Sequence, residues 1–432
     1  MIAERPGAGR RGWGKAVAAV SAWPAYRQTA AWYLVFALFA ALMTVLSGLP
    51  VERSWGAWAA AGYGVAALAA VVWRSRGRWA ALLISLAGAL VAPLVWQVTG
   101  GRHMSTVGEG ALDVVARAGW LLAHHGTPYL SAARLDGPQS YNPYGPALAV
   151  FGLPGALGAP GWTGNPRLWL TLTGVVALWG SLRPSTASSR TAWALTAFAT
   201  ASPVLALPVV AGGTDAPILG LLCLALALTG RARPGWAGLV LGVACAMKST
   251  AWLAVPVLLA FCAGSAGRAA CRRFGLTCVG AAMAGTVLAA PAALSEPSSL
   301  VGNTVLFPLG LTHRKTTAAS PLPGHLLAMT GPLGRWAVIG LLGAVILAMT
   351  VWLVARPPVT LTQTVYHLAL FYTLVFILAP ATRWGYFGYP LGLLGWLALR
   401  DALTPGTPAL GADARGFSRA FVAGDEAALT KG

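Results

Sequence analysis

The chain has 432 residues, of which 57% are hydrophobic and only 9% are Asp, Glu, Lys or Arg, against about 25% charged in a soluble globular protein. So few charges cannot surface a water-soluble fold, and apolar runs of roughly 17 to 25 residues, enough to cross a bilayer as helix, recur from Ala31 almost to Arg400. The net charge of +19 does not point to nucleic acid, because the basic residues form no patch interleaved with aromatics; they lie in short loops between apolar spans, the positive-inside pattern of a membrane protein.

Residues 1–30 carry Arg5, Arg10, Arg11, Lys15 and Arg27 and run into the first span without a small-residue cleavage site. They read as a cytoplasmic basic segment leading into a signal anchor. Residues 31–400 read as one multi-span transmembrane domain. Its first spans are Ala31 to Leu49, Trp55 to Trp73 and Trp79 to Thr99, with Arg74, Arg76 and Arg78 holding the turn between the second and third inside. A first long external loop then covers about 100–142. Apolar stretches follow at Tyr144 to Pro160, Leu168 to Leu182, Thr191 to Ala211 and Ala216 to Gly230, ending in a cytoplasmic turn from Arg231 to Pro234. A full span at Tyr144 to Pro160 would put Arg183 and Arg190 outside. With Pro143, Pro146 and Pro154 in or beside it, that segment reads as re-entrant or interfacial, unless one loop breaks the charge rule.

Trp236 to Phe261 reads as two short helices meeting near Lys248, since a continuous helix would strand that ammonium in lipid. The basic turn at Arg268, Arg272 and Arg273 belongs inside, Phe274 to Ala290 runs outward, and a second external loop covers about 291–332. Leu333 to Val354, Thr364 to Ala379 and Tyr386 to Arg400 complete an all-α polytopic bundle of about twelve helices, eleven to thirteen by the same span length. Residues 401–432 read as a disordered cytoplasmic tail. The cysteines, Cys223, Cys245, Cys262, Cys271 and Cys278, include no metal-type Cys-x-x-Cys pair, so neither zinc nor disulfides are expected.

The carboxylates are few enough to take singly. Glu4, Asp401, Asp413, Asp425 and Glu426 lie in the tails, whereas Glu52, Glu109, Asp113, Asp136, Asp215 and Glu296 all fall outside or at the outer ends of spans. Any general base therefore works on that face. From Glu109 to His125, Leu112, Val115, Gly119 and Leu122 recur at helical spacing while Asp113, Arg117, Trp120 and His124 share the opposite face. Gly126 and Pro128 stop the helix, giving a short amphipathic helix along the membrane surface. On these grounds alone Asp113 is equally well a partner for Arg117 at i,i+4, worth only ~0.3 to 0.5 kcal/mol. In the second loop His313, Arg314 and Lys315 are adjacent, with His325 and Arg335 further on. They suit a phosphate or, equally simply, anionic lipid headgroups. Asp215 at a helix end, Lys248 at a helix break and Arg383 beside Trp384 and Tyr386 read either as site groups or as caps and snorkelling side chains.

His125-Gly-Thr-Pro-Tyr129 followed by Tyr141-Asn-Pro-Tyr-Gly-Pro146, then Gly213-Thr-Asp215 and Gly238 to Lys248, resemble the GT-C class of membrane glycosyltransferases. The resemblance is nearest to the polyprenol-phosphate-mannose-dependent mannosyltransferases, the family-87 type, and runs from about Asp113 to Tyr389. The family pattern of Tyr-x-Tyr-Pro-Pro is here Tyr141-Asn142-Pro143-Tyr144-Gly145-Pro146, and Thr214 stands where Gln or Asn is usual. The likeness implies a GT-C-like fold without cofactor or metal, in a bacterial plasma membrane with its active site on the extracytoplasmic face. It implies an inverting transfer of a sugar, mannose by analogy, from a polyprenyl-phosphate donor to a lipid, glycan or protein acceptor. Asp113 matches the catalytic base; His313, Arg314, Lys315, Lys248 and Arg383 are candidates for the donor phosphate, and Tyr129, Tyr141, Tyr144 and Asp215 for sugar or acceptor. A transporter or lipid-carrier flippase would instead carry ionisable groups at the midplane and internal repeats; no repeat is visible. A glycan polymerase or ligase would share the external loops and differ in using a lipid-linked oligosaccharide.

Overall fold

A computed structural model describes residues 23–99, 110–131, 134–135, 137–183, 189–294, 296–312, 314, 316, 318–401 and 403. Its longer helices in chain order are α1 (Ala25–Leu46), α2 (Pro50–Val72), α3 (Arg74–Leu86), α4 (Ala92–Thr99), α5 (Ala111–His125), α6 (Pro166–Leu182), α7 (Ser189–Ala201), α8 (Pro203–Ala211), α9 (Asp215–Gly230), α10 (Pro234–Met247), α11 (Ala254–Ala289), α12 (Pro332–Ala355), α13 (Leu361–Leu378) and α14 (Gly388–Asp401). Among the described residues the only β pairing is an isolated bridge between Ala319 and Thr382.

The chain is a multi-pass membrane protein. Among the described residues, six helical segments are long and apolar enough to cross a bilayer: α1, α2, Gly77–Gln97, Ser249–Ala289, α12 and α13. The pair α7 and α8, bent by 60°, makes a seventh if it is one span. The bend falls at Ser202, which precedes Pro203 and is pushed out of helical geometry by it. Against the expected total of about twelve stand these six or seven and several shorter apolar helices, among them Pro146–Ala156, α9 and α10. The stretch from Tyr144 to Pro160 contains no single helix of crossing length: it is a 3-10 turn at Pro146–Gly152 and a short helix at Leu153–Ala156, with Gly158 at φ +89° beyond them.

Two compact units divide the chain. The first draws on Met1–Val107, Leu182–Ala211 and Gly395–Gly432. Its core is aromatic, with Tyr33, Trp55, Tyr63 and Phe198 buried together. The Trp55 indole donates to the Ala89 carbonyl at 2.8 Å, and the Tyr63 hydroxyl donates to the Ala201 carbonyl, so both polar tips are satisfied inside an apolar cluster.

The second unit, Gly108–Ser181 with Gly212–Leu394, is built on two seams of small residues, which let helix backbones approach closely in an apolar medium. In one, α6 lies parallel to α9: Gly174 sits against Ala216 and Pro217, Gly180 against Leu224, and a Cβ on Gly220 would run into Gly174. Arg231 ends this seam, its guanidinium donating to the carbonyls of Gly180 and Ser181 at 3.3 and 3.1 Å. In the other, α10 lies parallel to the second half of α11: Gly238 meets Phe274, Gly242 meets Cys278, and Gly285 meets Ala246. Gly267, at φ +81° in a conformation costly for other residues, breaks α11 into two helices. The C-terminal end of α10 and the N-terminal end of α9 are thereby held in place for the groups described next.

Candidate active site

Helix α10 stops at Met247, and Lys248 is extended, with φ −153° and ψ 135°. The break exposes the Met247 carbonyl, which accepts from the Gly145 N–H at 2.8 Å. Only glycine fits there, because a Cβ on residue 145 would collide with the Ala246 carbonyl. The Tyr141 to Pro146 loop is thus pinned to the helix break. Its other contacts are equally specific. The Tyr129 hydroxyl donates to the Tyr144 carbonyl at 2.9 Å, and the Asn142 amide donates to the Pro128 carbonyl at 3.2 Å. The Asn142 backbone N–H donates to Asn303 Oδ1 at 2.8 Å, while the Tyr141 ring stacks on Phe307 with centroids 4.2 Å apart. Asn303 lies in a π-helical turn, Gly302–Leu306, a distortion often found at functional sites.

Lys248 is 6% exposed. Its ammonium contacts Asp215 Oδ1 at 2.5 Å and Thr214 Oγ1 at 3.4 Å, and the Tyr144 and Tyr386 rings each lie 5.5 Å away. The same Asp215 oxygen accepts from the Tyr389 hydroxyl at 2.5 Å. Tyr389 in turn accepts from Thr250, and Tyr372 donates to the Thr250 carbonyl at 3.0 Å. A buried ammonium is tolerable only with such compensation. Lys248 and Asp215, separate candidates in the sequence, are one neutral pair.

Asp113 lies in the first turn of α5, on its exposed side. The buried side of α5 is fixed by backbone contact: Gly119 and Gly152 leave no room for a Cβ on either. Gly110 opens the helix at φ +64° and Gly126 closes it at φ +67°, the left-handed stop expected of that glycine. The Asp113 carboxyl is raised above its ordinary value by desolvation, an effect that the positive charge of Arg117 partly offsets. Arg117 also reaches the carbonyls of Ser140 and Tyr141, at 3.4 and 3.5 Å. Leu112, beside Asp113, packs on Gly212, where a Cβ would lie 2.9 Å from its Cδ1. The base of the Asp113 helix therefore abuts the Gly212-Gly213-Thr214 turn that leads into Asp215.

Of the other candidates, His313 and Lys315 lie outside the described residues, as do Glu109 and Asp136. Arg314 is exposed, and its carbonyl accepts from Thr312. Arg383 is half-buried beside Thr382, which exchanges backbone hydrogen bonds with Ala318 and Ser320. The second loop and the Arg383 segment are therefore neighbours. Tyr129 and Tyr141 are buried and brace the loop, whereas Tyr144 faces Lys248. Three neighbours escaped the sequence reading: Tyr389, Asn303 and Arg167. The first two have no spacing that distinguishes them from ordinary belt or loop residues. Arg167 carried a usable signal: in the topology expected from the charge bias it stands at an outer span end, against the positive-inside rule.

The family model for glycosyltransferase family 87 matches residues 142–380, more than half of the chain. That interval contains the Tyr144 loop, Arg167, Asp215, Lys248, Asn303 and Arg314. No curated protein and no solved structure matches the chain.

Proposed function

Given that this chain belongs to glycosyltransferase family 87, we propose that it transfers a sugar, mannose, from a polyprenyl-phosphate carrier to a lipid, glycan or protein acceptor on the extracytoplasmic face. The observation carrying this reading is a carboxylate on a rigidly seated helix next to a turn lined by cations and aromatic rings. Asp113 is exposed, has a raised proton affinity and stands on a helix that cannot shift against Gly152. In the reaction it takes the proton of the acceptor hydroxyl as that oxygen attacks the anomeric carbon. The bond to the carrier phosphate breaks as the new glycosidic bond forms, and the configuration inverts. A phosphate leaving group needs little protonation, so one carboxylate is enough, unlike the acid and base pair of a typical glycosidase. His313, Arg314, Lys315 and Arg383 supply positive charge for the departing phosphate. The Lys248–Asp215 pair holds Tyr144 and Tyr386 as the wall against which the sugar lies.

Carrier identity follows from location and charge. A nucleotide sugar bears a diphosphate whose passage through hydrocarbon is prohibitive, so an outward-facing site draws on a donor already in the membrane. Purified protein in liposomes, offered polyprenyl-phosphate mannose or a nucleotide-activated mannose with metal chelated, should use only the former. Asp113→Asn, which keeps shape and removes basicity, should lower transfer by ~100-fold to 10,000-fold with unchanged folding. Direct use of the nucleotide sugar would overturn the donor, and near-normal activity of Asp113→Asn would overturn the base.

A further inference from the structure

Helix α5 carries more than Asp113 on its exposed side. Asp113, Arg117, Trp120 and His124 share a sector about 60° wide at 3.6 residues per turn, while Val115, Ala118 and Leu121 are buried behind them. Arg117 is turned to the carbonyls of Ser140 and Tyr141. Trp120 is 47% exposed, and its indole stacks on the His124 ring with centroids 4.4 Å apart and planes inclined by 22°. His125 adds a third ring, 5.5 Å from the indole and tilted by 69°. Both histidines follow Trp120 in the helix, so they back the indole from the C-terminal side and leave its other face turned toward Arg117 and Asp113.

The edge of this platform is polar. The His124 Nδ1 lies 2.8 Å from the Trp120 carbonyl; a carbonyl only accepts, so Nδ1 carries the proton of the neutral ring and Nε2 is left as an acceptor. Among the described residues neither that Nε2 nor the Trp120 Nε1–H has a hydrogen-bond partner. An aromatic face with a donor and an acceptor at its rim matches a pyranose, which has an apolar C–H face and a rim of hydroxyls. Acyl chains are the other usual neighbour of an interfacial tryptophan, but this stripe also holds a carboxylate, a guanidinium and an imidazole, groups that hydrocarbon does not solvate. The helix sets the spacing: Trp120 lies about 10 Å along the axis from Asp113, at 1.5 Å per residue. Gly126 fastens the C-terminal end, its carbonyl accepting from the Ala292 N–H at 3.0 Å. That separation leaves room at Asp113 for the sugar bearing the reacting hydroxyl and puts the indole against the next one.

We infer that Trp120, backed by His124, is a specificity-determining subsite for a glycan acceptor, stacking the sugar behind the one that bears the reacting hydroxyl. This inference rests on the placement of Asp113 as the base proposed above. It makes acceptor length a property that α5 reads, and a single sugar a poor acceptor.

The probes are octyl α-mannoside and octyl α-mannotrioside, each offered with polyprenyl-phosphate mannose to the purified full-length protein. Wild type should show a KM for the trioside about tenfold below that for the mannoside, and Trp120→Ala should raise the trioside KM by about tenfold, the upper scale of one aromatic contact. The mannoside KM should change much less, and the donor KM should stay as in wild type. Trp120→Phe should keep most of the preference, because a planar face remains, whereas Trp120→Leu, apolar without such a face, should lose it. Equal KM values for the two glycosides in wild type overturn the subsite. So does an equal loss on both in Trp120→Ala, the mark of a merely structural role, and so does transfer to a lipid or protein acceptor with neither glycoside used. If Trp120→Ala does not fold, Trp120→Leu decides: loss of the trioside preference supports the subsite, and its retention returns Trp120 to lipid contact. Failure of the wild-type protein to transfer from polyprenyl-phosphate mannose to any acceptor would instead overturn the reaction proposed above, a result separable from any of these.

Discussion

Substitution of Lys248 by Met isolates the energetics of the helix break. The side chains of Lys248 and Asp215 are 8% and 25% exposed and 2.5 Å apart. Removal of the ammonium leaves a carboxylate mostly out of water, with the Tyr389 hydroxyl as its remaining donor. Breaking a buried pair from one side costs ~3 to 5 kcal/mol. The residual access of Asp215 to water and the Tyr389 bond place this case at the low end, ~3 kcal/mol. Adding Asp215→Asn removes the abandoned charge while preserving an acceptor for Tyr389, so the double variant should recover to within ~1 kcal/mol of wild type, as when both members of a buried pair are neutralised. The readout is the thermal unfolding midpoint in detergent. Here ~3 kcal/mol corresponds to a fall on the order of 5 °C, and the double variant regains most of it. A midpoint for Lys248→Met within 1 °C of wild type, or a double variant as unstable as the sum of the singles, would refute the claim that the pair compensates its own burial.

Three further outcomes follow from the loop and the amphipathic helix. Arg117 holds the Asp113 proton affinity down against desolvation, so Arg117→Gln should raise it further; the base form then needs higher pH, and the acidic limb of the pH–rate profile should move to more alkaline values, whereas an unmoved limb would separate Asp113 from catalysis. Asn303→Ala removes the acceptor of the buried Asn142 N–H and should cost ~1 to 3 kcal/mol, with transfer reduced and helix content by circular dichroism unchanged. Gly152→Val should lose ~1 to 3 kcal/mol or more through overpacking, since its Cβ would overlap the Val115 carbonyl and lever α5 away; full stability of that variant would contradict the close backbone contact.

Membrane insertion, the all-helical class and the family were legible in the linear chain, because each rests on features that neighbouring residues carry. Apolar runs identify spans wherever they fold, Gly126 and Pro128 end α5 by backbone chemistry alone, and Lys248 breaks its helix because hydrocarbon does not solvate an ammonium. The motif at Tyr141 to Pro146 is equally local, and so was the likeness it carried. What joins these pieces is not local. Lys248 and Asp215 are 33 residues apart and Tyr389 lies 174 from Asp215, so no spacing along the chain announces that one carboxylate oxygen serves both. Asn142 and Asn303 meet across 161 residues, and the setting of Arg167 depends on glycines at 174 and 180 fitting against α9. Sequence dictates which residues leave water and where helices must stop, since those are free energies of single side chains and short segments. Which charge meets which is decided by helix register, a property of close-packed surfaces that exists only once the chain has folded.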